Sequence, residues 1–260
     1  AGGLATLDNW YTQYLFPSMA TAEHFSEITQ KRLSLAPDLE RATEPNLHQH
    51  LLYLAYNEAV KRVTGNYHTF VRFNALLIIG NLNQTEKNNV NGVVYPPVRL
   101  AKSLDFLVDQ LKEPNQVFEI KLAAVLGIWR HVYLVRARTT DQPIPDARLA
   151  EIASLMKGVL DDQAVPAGIA ESVHTWLRFR AADVLGMLGA VGNNREIFDS
   201  LVRIVGDAEE PLSLRCMAAE TLGRLVYTDV TGIDALATAR QLGALAAFAC
   251  RAEDTRAKDE

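Results

Sequence analysis

The sequence predicts an all-α protein, and three observations support that prediction. Almost every segment of the 260 residues has apolar residues recurring with the 3.6-residue period of a helix. No segment shows the sustained alternation with period two that a half-buried strand would have. Most prolines and glycines fall between the periodic segments. The predicted helices cover residues 4–16, 22–35, 46–64, 69–82, 96–111, 116–135, 146–160, 167–189, 194–206, 212–226 and 233–252.

The first 45 residues match no other part of the chain and open with an aromatic-rich amphipathic segment. This segment contains Trp10, Tyr11, Tyr14 and Phe16. We expect it to form a helical cap over the exposed face of the helices that follow, because a stack of repeats needs its end covered. A partner-docking role for these aromatic side chains is the alternative.

The later helices fall into four pairs joined by short turns. The first helices of the pairs each carry a stripe of leucine, isoleucine or valine and cover residues 46–64, 96–111, 146–160 and 194–206. The second helices cover residues 69–82, 116–135, 167–189 and 212–226. Pro211 suits the first turn of the last of these, where its missing N–H costs nothing. The final helix, 233–252, is interpreted as the start of another unit.

The four second helices align without gaps on a shared glycine. The glycines in register are Gly80, Gly127, Gly186 and Gly223. Three of the helices have an arginine eight positions earlier, at Arg72, Arg178 and Arg215, and the other helix has Glu119 there. A glycine inside a helix costs about 1 kcal/mol relative to alanine. Four of them in register therefore predict that a neighbouring helix approaches closely at this position.

This spacing resembles the second helix of HEAT repeats, whose pattern is roughly V-R-x-x-A-x-x-A-L-G-x-L. The closest segment is LRCMAAETLGRL at residues 214–225, and the resemblance covers about residues 46–226. It implies a right-handed α-α superhelix, a HEAT or armadillo-like solenoid, in which the second helices line the concave surface. Residues 1–45 would be the N-terminal helical cap, and residues 46–260 the repeat array of about four pairs plus a final helix. In HEAT proteins the repeated arginine commonly bridges to a neighbouring repeat.

Two segments interrupt the regular spacing of the register glycines. One is the asparagine-rich segment 83–97, which ends in Tyr-Pro-Pro, and the other is segment 137–146, which contains two prolines. Both follow a second helix, so we expect both loops to emerge from the same edge of the stack. Loops of this length in a small repeat protein are often functional.

Several classes of activity lack their signatures in this chain. There is no P-loop, no G-x-G-x-x-G and no G-x-S-x-G motif. His48 and His50 are two positions apart and point to opposite sides of a helix, so they do not form a metal pair. Cys216 and Cys250 are too few for a disulfide framework or a zinc site and are predicted to be small buried thiols. We therefore predict no catalytic residue, no metal site and no cofactor.

The formal net charge of −5 conceals a basic middle segment. Residues 66–140 contain 9 basic and 5 acidic residues, a net charge of +4, whereas the segments on both sides are acidic. That excess is too small to favour nucleic acid as the partner. It is consistent with a solvated surface, and the alternative is a site for an acidic partner or an anion.

The resemblance favours a non-catalytic protein-interaction scaffold that binds a protein or peptide in the groove. The best candidates for solvent-facing contacts on the second helices are Asn74, Lys121, Arg178, Arg180 and Arg215. One alternative is a HEAT-like enzyme or lyase acting on a small ligand or modified base, with Trp129, Arg130 and His131 as its nucleus. Another is a spacer module of a longer multidomain protein.

The sequence does not predict an oligomeric state. No apolar run is long enough for a transmembrane helix. We expect a soluble protein, cytoplasmic by default, with export as the alternative if Ala1 follows a cleaved signal peptide.

Overall fold

Helices form most of the backbone in the computed structural model, which describes residues 2–136, 143–228 and 230–259. This confirms the prediction of a helical protein, although four short strands also occur in those residues. The chain divides into two compact units, Ala1–Ile144 and Pro145–Glu260. The predicted boundary after residue 45 lies inside the first unit. Within the described residues, no helix has both the length and the apolar character needed to cross a membrane.

The first unit contains the N-terminal segment and two of the predicted helix pairs. Its α-helices are α1 (Gly2–Asn9), α2 (Phe16–Ser18), α3 (Ile28–Arg41), α4 (Pro45–Thr64), α5 (Thr69–Asn81), α6 (Ala101–Lys112) and α7 (Phe118–Arg136). A π-helical turn, Trp10–Leu15, joins α1 to α2, and a 3-10 turn, Ala22–Glu27, precedes α3. Helix α4 packs on α5, α6 packs on α7, and the second helices α5 and α7 pack on each other.

The second unit repeats the same packing order. Its α-helices are α8 (Asp146–Asp161), α9 (Glu171–Leu188), α10 (Glu196–Gly206), α11 (Leu212–Arg224) and α12 (Ala235–Asp259). Helix α8 packs on α9, α10 packs on α11, and the second helices α9 and α11 pack on each other. Gly189 caps the C-terminus of α9. Its φ of +67° is a left-handed backbone conformation that glycine adopts without steric cost.

The close approach predicted by the register glycines occurs between α5 and α7. A Cβ atom on Gly80 would lie 2.9 Å from the Cα atom of Gly127, a distance too short for two carbon atoms that are not bonded to each other. At Gly186 the nearest atoms belong instead to the end of the Arg224 side chain, and around Gly223 nothing lies within 4 Å. The prediction is therefore confirmed for Gly80 and Gly127. It is wrong for Gly223, and at Gly186 the close neighbour is a side chain rather than a helix backbone.

This difference gives a matched pair of substitutions. Gly80→Ala is expected to destabilise the chain by about 1–3 kcal/mol, because the new methyl group pushes α5 and α7 apart. Gly223→Ala is expected to be neutral or to stabilise by up to about 1 kcal/mol, because alanine is the better helix former and meets open space. Urea denaturation of both variants measures the effects, and equal stability of the two would contradict the close contact.

The arginines that precede the register glycines share one contact. In each case the Nε atom donates to the carbonyl oxygen of the second-last residue of the preceding helix. The donor and acceptor pairs are Arg72 with Val63 at 3.0 Å, Arg178 with Leu160 at 2.9 Å, and Arg215 with Val205 at 3.2 Å. Carbonyl groups at a helix C-terminus lack partners within the helix and carry partial negative charge. Each arginine therefore fastens the two helices of its own pair.

Two of these arginines also reach the following pair. Arg72 Nη2 donates to Gln116 Oε1 at 3.0 Å, and Arg178 makes a two-pronged ion pair with Glu210 at 2.7 and 2.6 Å. Gln116 and Glu210 occupy equivalent positions, each two residues before the next second helix. An arginine at the same position of the second helix therefore links successive helix pairs in both units.

Segment 83–97, predicted to be a loop, contains β-structure. Strand β1 (Asn83–Thr85) pairs antiparallel with β4 (Val98–Arg99), and β2 (Asn88–Val90) pairs antiparallel with β3 (Val93–Tyr95). The turn residues Asn91 and Gly92 have φ of 55° and 83°. Asn-Gly is the preferred pair for such a two-residue turn. The expectation of no strands was wrong here, and we call residues 83–99 the hairpin arm.

The expectations for the two cysteines and for the predicted loop 137–146 have different outcomes. Cys216 and Cys250 are both exposed, so the prediction of buried thiols was wrong. In both cases the helix face that carries the cysteine is open to solvent. Most of the predicted loop 137–146, namely residues 137–142, lies outside the described residues.

Candidate functional site

Arg130 on α7 is the centre of the candidate site in the first unit. It lies three residues after Gly127 and therefore on the helix face that meets α5. Its Nη2 atom donates to Asn83 Oδ1 at 2.6 Å, and Nη1 reaches the carbonyl oxygen of Gly80 at 3.4 Å. The glycine contact brings the two helices close enough for this arginine to extend over the C-terminal end of α5. A cation is favoured there by the helix dipole.

A cavity of about 290 Å³ opens on one side of Arg130. We call it the α3 cavity, because α3 forms one wall and the end of α5 and the base of the hairpin arm form the others. Its apolar lining is Leu33, Leu35, Ala36, Leu39, Ile78, Leu82 and Pro97. Its polar lining is Arg32, Glu40, Asn81, Asn83, Glu86, Lys87 and Arg130.

A second cavity of about 220 Å³ lies on the other side of Arg130, and we call it the α7 pocket. Its lining residues are Leu77, Gly80, Asn81, Leu126, Gly127, Trp129 and Arg130. Gly80 and Gly127, where α5 and α7 meet, lie at its floor. Asn81 and Arg130 line both cavities, so the two are adjoining.

An aromatic pair adjoins the α7 pocket. The rings of Trp129 and Tyr133, one helical turn apart, stack with centroids 5.6 Å apart and planes inclined by 11°. Tyr133 is 51% exposed, and Trp129 is half-buried. We call these two residues the aromatic ledge. Aromatic and arginine side chains are enriched at binding surfaces. Tyrosine and tryptophan suit such surfaces because each ring has an apolar body and one polar group.

Burial shifts the pKa values of three charged groups that line the α3 cavity. Burial raises the pKa of Glu86, against the opposing effects of the hydrogen bond from Asn83 and the charge of Arg130. Burial also lowers the pKa values of Arg32 and Arg130, although a guanidinium remains charged at neutral pH. At the rim, Lys87 Nζ and Glu40 Oε1 form an ion pair at 3.3 Å.

Two of the five residues predicted from sequence to face solvent are buried instead. Asn74 is 2% exposed, because it accepts from Arg32 Nε at 3.1 Å and donates to the carbonyl oxygen of Phe70 at 2.9 Å. Arg178 is 4% exposed, because its guanidinium bonds Glu210 and the end of α8. The solvent-facing prediction was therefore wrong for both residues.

The other candidates on the second helices are partly exposed. Arg215 is half-buried against the end of α10, and its guanidinium lies 5.5 Å from the Phe248 ring. Arg180 is half-buried, with its guanidinium 5.0 Å from the Trp176 ring, and it pairs with Asp183 at 3.5 Å. Lys121 is half-buried on α7. The arginines at 178, 180 and 215 belong to the second unit and do not line the cavities described above.

His131 is buried in the core, whereas Trp129 and Arg130, the two residues before it, are only half-buried. Its side chain is fully buried, and neither ring nitrogen has a hydrogen-bond partner among the described residues. Burial, assisted by the positive charges of Arg130 and Arg99, lowers the pKa of His131 to about 3. The structure therefore brings Trp129 and Arg130 together at the site and places His131 in the core.

Arg32, Asn83 and Glu86 line the α3 cavity and were missed by the sequence analysis. Arg32 lies in the predicted cap, and the other two lie in the hairpin arm. The Asn-Gly pair at 91–92 was the one local signal that predicts the hairpin arm. No local pattern predicts that α3 and the hairpin arm share a cavity.

No protein-family model matches this chain, and neither a curated protein nor a solved structure matches it at a significant level. The HEAT-like interpretation therefore depends on the residues and contacts of the chain itself. In the part of the chain that the structure describes, no three metal-ligating side chains converge on one point.

Proposed function

We propose that this protein is a non-catalytic interaction scaffold of HEAT-like, armadillo-like architecture, with its helix pairs arranged as a right-handed α-α superhelix. The repeated contacts support this proposal. Equivalent arginines fasten equivalent helices in both units, and second helices pack on second helices. Repeats stacked in this way leave an extended surface that is suited to binding a chain segment.

The proposed binding site is the α7 pocket with the aromatic ledge, and the proposed partner is a protein or peptide segment. The observation that carries this assignment is that Arg130 and Trp129 line the same open pocket and that Trp129 stacks on the exposed ring of Tyr133. Aromatic and arginine side chains dominate the binding energy of protein interfaces. The charge of Arg130 favours an acidic residue in the partner, and the ledge favours an adjacent aromatic or aliphatic residue.

Selection of random peptides displayed on phage against the intact chain tests this proposal. We expect the enriched peptides to carry Asp or Glu close to an aromatic or large aliphatic residue. Enrichment should be lost when a peptide from the first round is added in excess as competitor. Enrichment of basic peptides, or of none, would contradict the assignment.

The two alternatives from the sequence remain predictions. An enzyme or lyase acting on a small ligand or modified base would need proton-transfer groups at Trp129 and Arg130, and the burial of His131 removes the nearest histidine from that surface. The spacer-module alternative would need no binding surface at all. Neither has an observation in its favour comparable to the open pocket beside the aromatic ledge.

A further inference from the structure

The α3 cavity has the shape and charge of a site for a small organic anion, and this goes beyond the proposed partner surface on the other side of Arg130. Leucine, alanine, isoleucine and proline side chains form half of its lining, and polar or charged side chains form the other half. Small-molecule sites typically combine apolar walls with a few polar groups that fix the orientation of the ligand.

Two guanidinium groups in this cavity have only uncharged partners. Arg32 Nε donates to Asn74 Oδ1, and Arg130 donates to Asn83 Oδ1 and to the carbonyl oxygen of Gly80. Within the described residues, neither arginine forms a salt bridge with a carboxylate. Each guanidinium carries five N–H donors, so several remain available. Arg130 has the charge of Glu86 nearby, whereas only burial acts on the pKa of Arg32. A half-buried cation without a counter-ion is costly, and an anion bound at Arg32 would remove that cost.

The charge balance favours a ligand with one negative charge. Lys87 and Glu40 neutralise each other at the rim. This leaves Arg32 and Arg130 against Glu86, which is a formal excess of one positive charge. A single carboxylate balances that excess, whereas a phosphate monoester carries close to two negative charges at neutral pH.

The volume limits the size of the ligand. A cavity of about 290 Å³ holds about ten non-hydrogen atoms, if each occupies the roughly 30 Å³ of a water-sized group. We propose that the α3 cavity binds a medium-chain aliphatic monocarboxylate, with the carboxylate at the Arg32 guanidinium and the chain against the leucines of α3.

Isothermal titration calorimetry of the full chain with sodium octanoate, octylamine and octyl phosphate tests the proposal. Octanoate should bind and octylamine should not, because only the charge of the head group differs in sign. Octyl phosphate should bind more weakly than octanoate. No binding of octanoate, equal binding of octylamine, or tighter binding of octyl phosphate would each overturn the assignment.

Substitutions on α3 test whether octanoate binds in the α3 cavity. Arg32→Met should weaken octanoate binding about tenfold or more, whereas Arg41→Met, an exposed arginine on the same helix outside the cavity, should leave it unchanged. Because Arg32 also holds Asn74, Ala36→Trp provides a second variant that narrows the cavity and keeps both arginines. Unchanged octanoate affinity in a folded Arg32→Met or Ala36→Trp protein would overturn the proposal. Peptide binding at the aromatic ledge should survive in both variants.

Discussion

Lowering the pH from 7 to 5 is expected to reduce the free energy of unfolding by about 2 kcal/mol through His131 alone. Burial and the charges of Arg130 and Arg99 lower the pKa of this histidine to about 3 in the folded chain, whereas in the unfolded chain it titrates near its ordinary value of 6.5. Between those two values the unfolded state binds a proton that the folded state does not. Stability is therefore lost as the pH falls below 6.5.

Urea denaturation of the wild type and of His131→Leu, at pH 7 and pH 5, measures this effect. Leucine fills a similar volume and cannot take up a proton, so the variant should lose about 2 kcal/mol less than the wild type over this range. His24→Leu, at a half-buried histidine on the 3-10 turn, is the control and should behave like the wild type. A difference between wild type and His131→Leu that does not change with pH would contradict the burial of a neutral histidine.

Replacing Glu210 by Gln is expected to destabilise the chain by about 3–5 kcal/mol, because it leaves the Arg178 guanidinium buried without a counter-charge. Both side chains are almost fully buried, and two hydrogen bonds of 2.7 and 2.6 Å join them. These hydrogen bonds from Arg178 lower the pKa of Glu210. The substitution also removes one link between successive helix pairs in the second unit.

Glu209→Gln provides the control, because Glu209 is the exposed neighbour of Glu210. It should change stability by less than about 0.5 kcal/mol. The double variant Arg178→Met with Glu210→Gln should be less destabilised than Glu210→Gln alone, since it buries no unpaired charge. A double variant that is less stable than Glu210→Gln would show that the pair contributes in some other way.

The helices could be predicted because their periodicity encodes which side is buried. The Gly80 and Gly127 contact could be predicted from the cost of a glycine inside a helix, but the same cost at Gly223 has no close neighbour to explain it. The burial of Arg178 could not be predicted in this way. Its position indicates the helix face, but its long side chain folds back onto the end of α8 and a glutamate 32 residues away.

The α3 cavity could not be predicted for a related reason. Arg32, Asn83 and Arg130 meet only because α3, the hairpin arm and α7 converge in the folded chain. Their separations in sequence follow no helical or strand period, so no local pattern connects them. The basic excess of residues 66–140 includes Arg130, but it did not predict the arginine from α3 that lines the same cavity.

The most direct test of the proposed binding surface is the affinity of a selected acidic peptide for three forms of the chain, measured by fluorescence anisotropy. Tyr133→Ala should weaken binding about tenfold or more, as expected when an interface aromatic is removed. Tyr14→Ala is a closely matched control, because Tyr14 is also 51% exposed and its ring also packs against a tryptophan, Trp10, at a centroid distance of 4.5 Å. Its affinity should equal that of the wild type. Equal affinity of Tyr133→Ala and wild type, or equal losses in both variants, would contradict binding at the aromatic ledge.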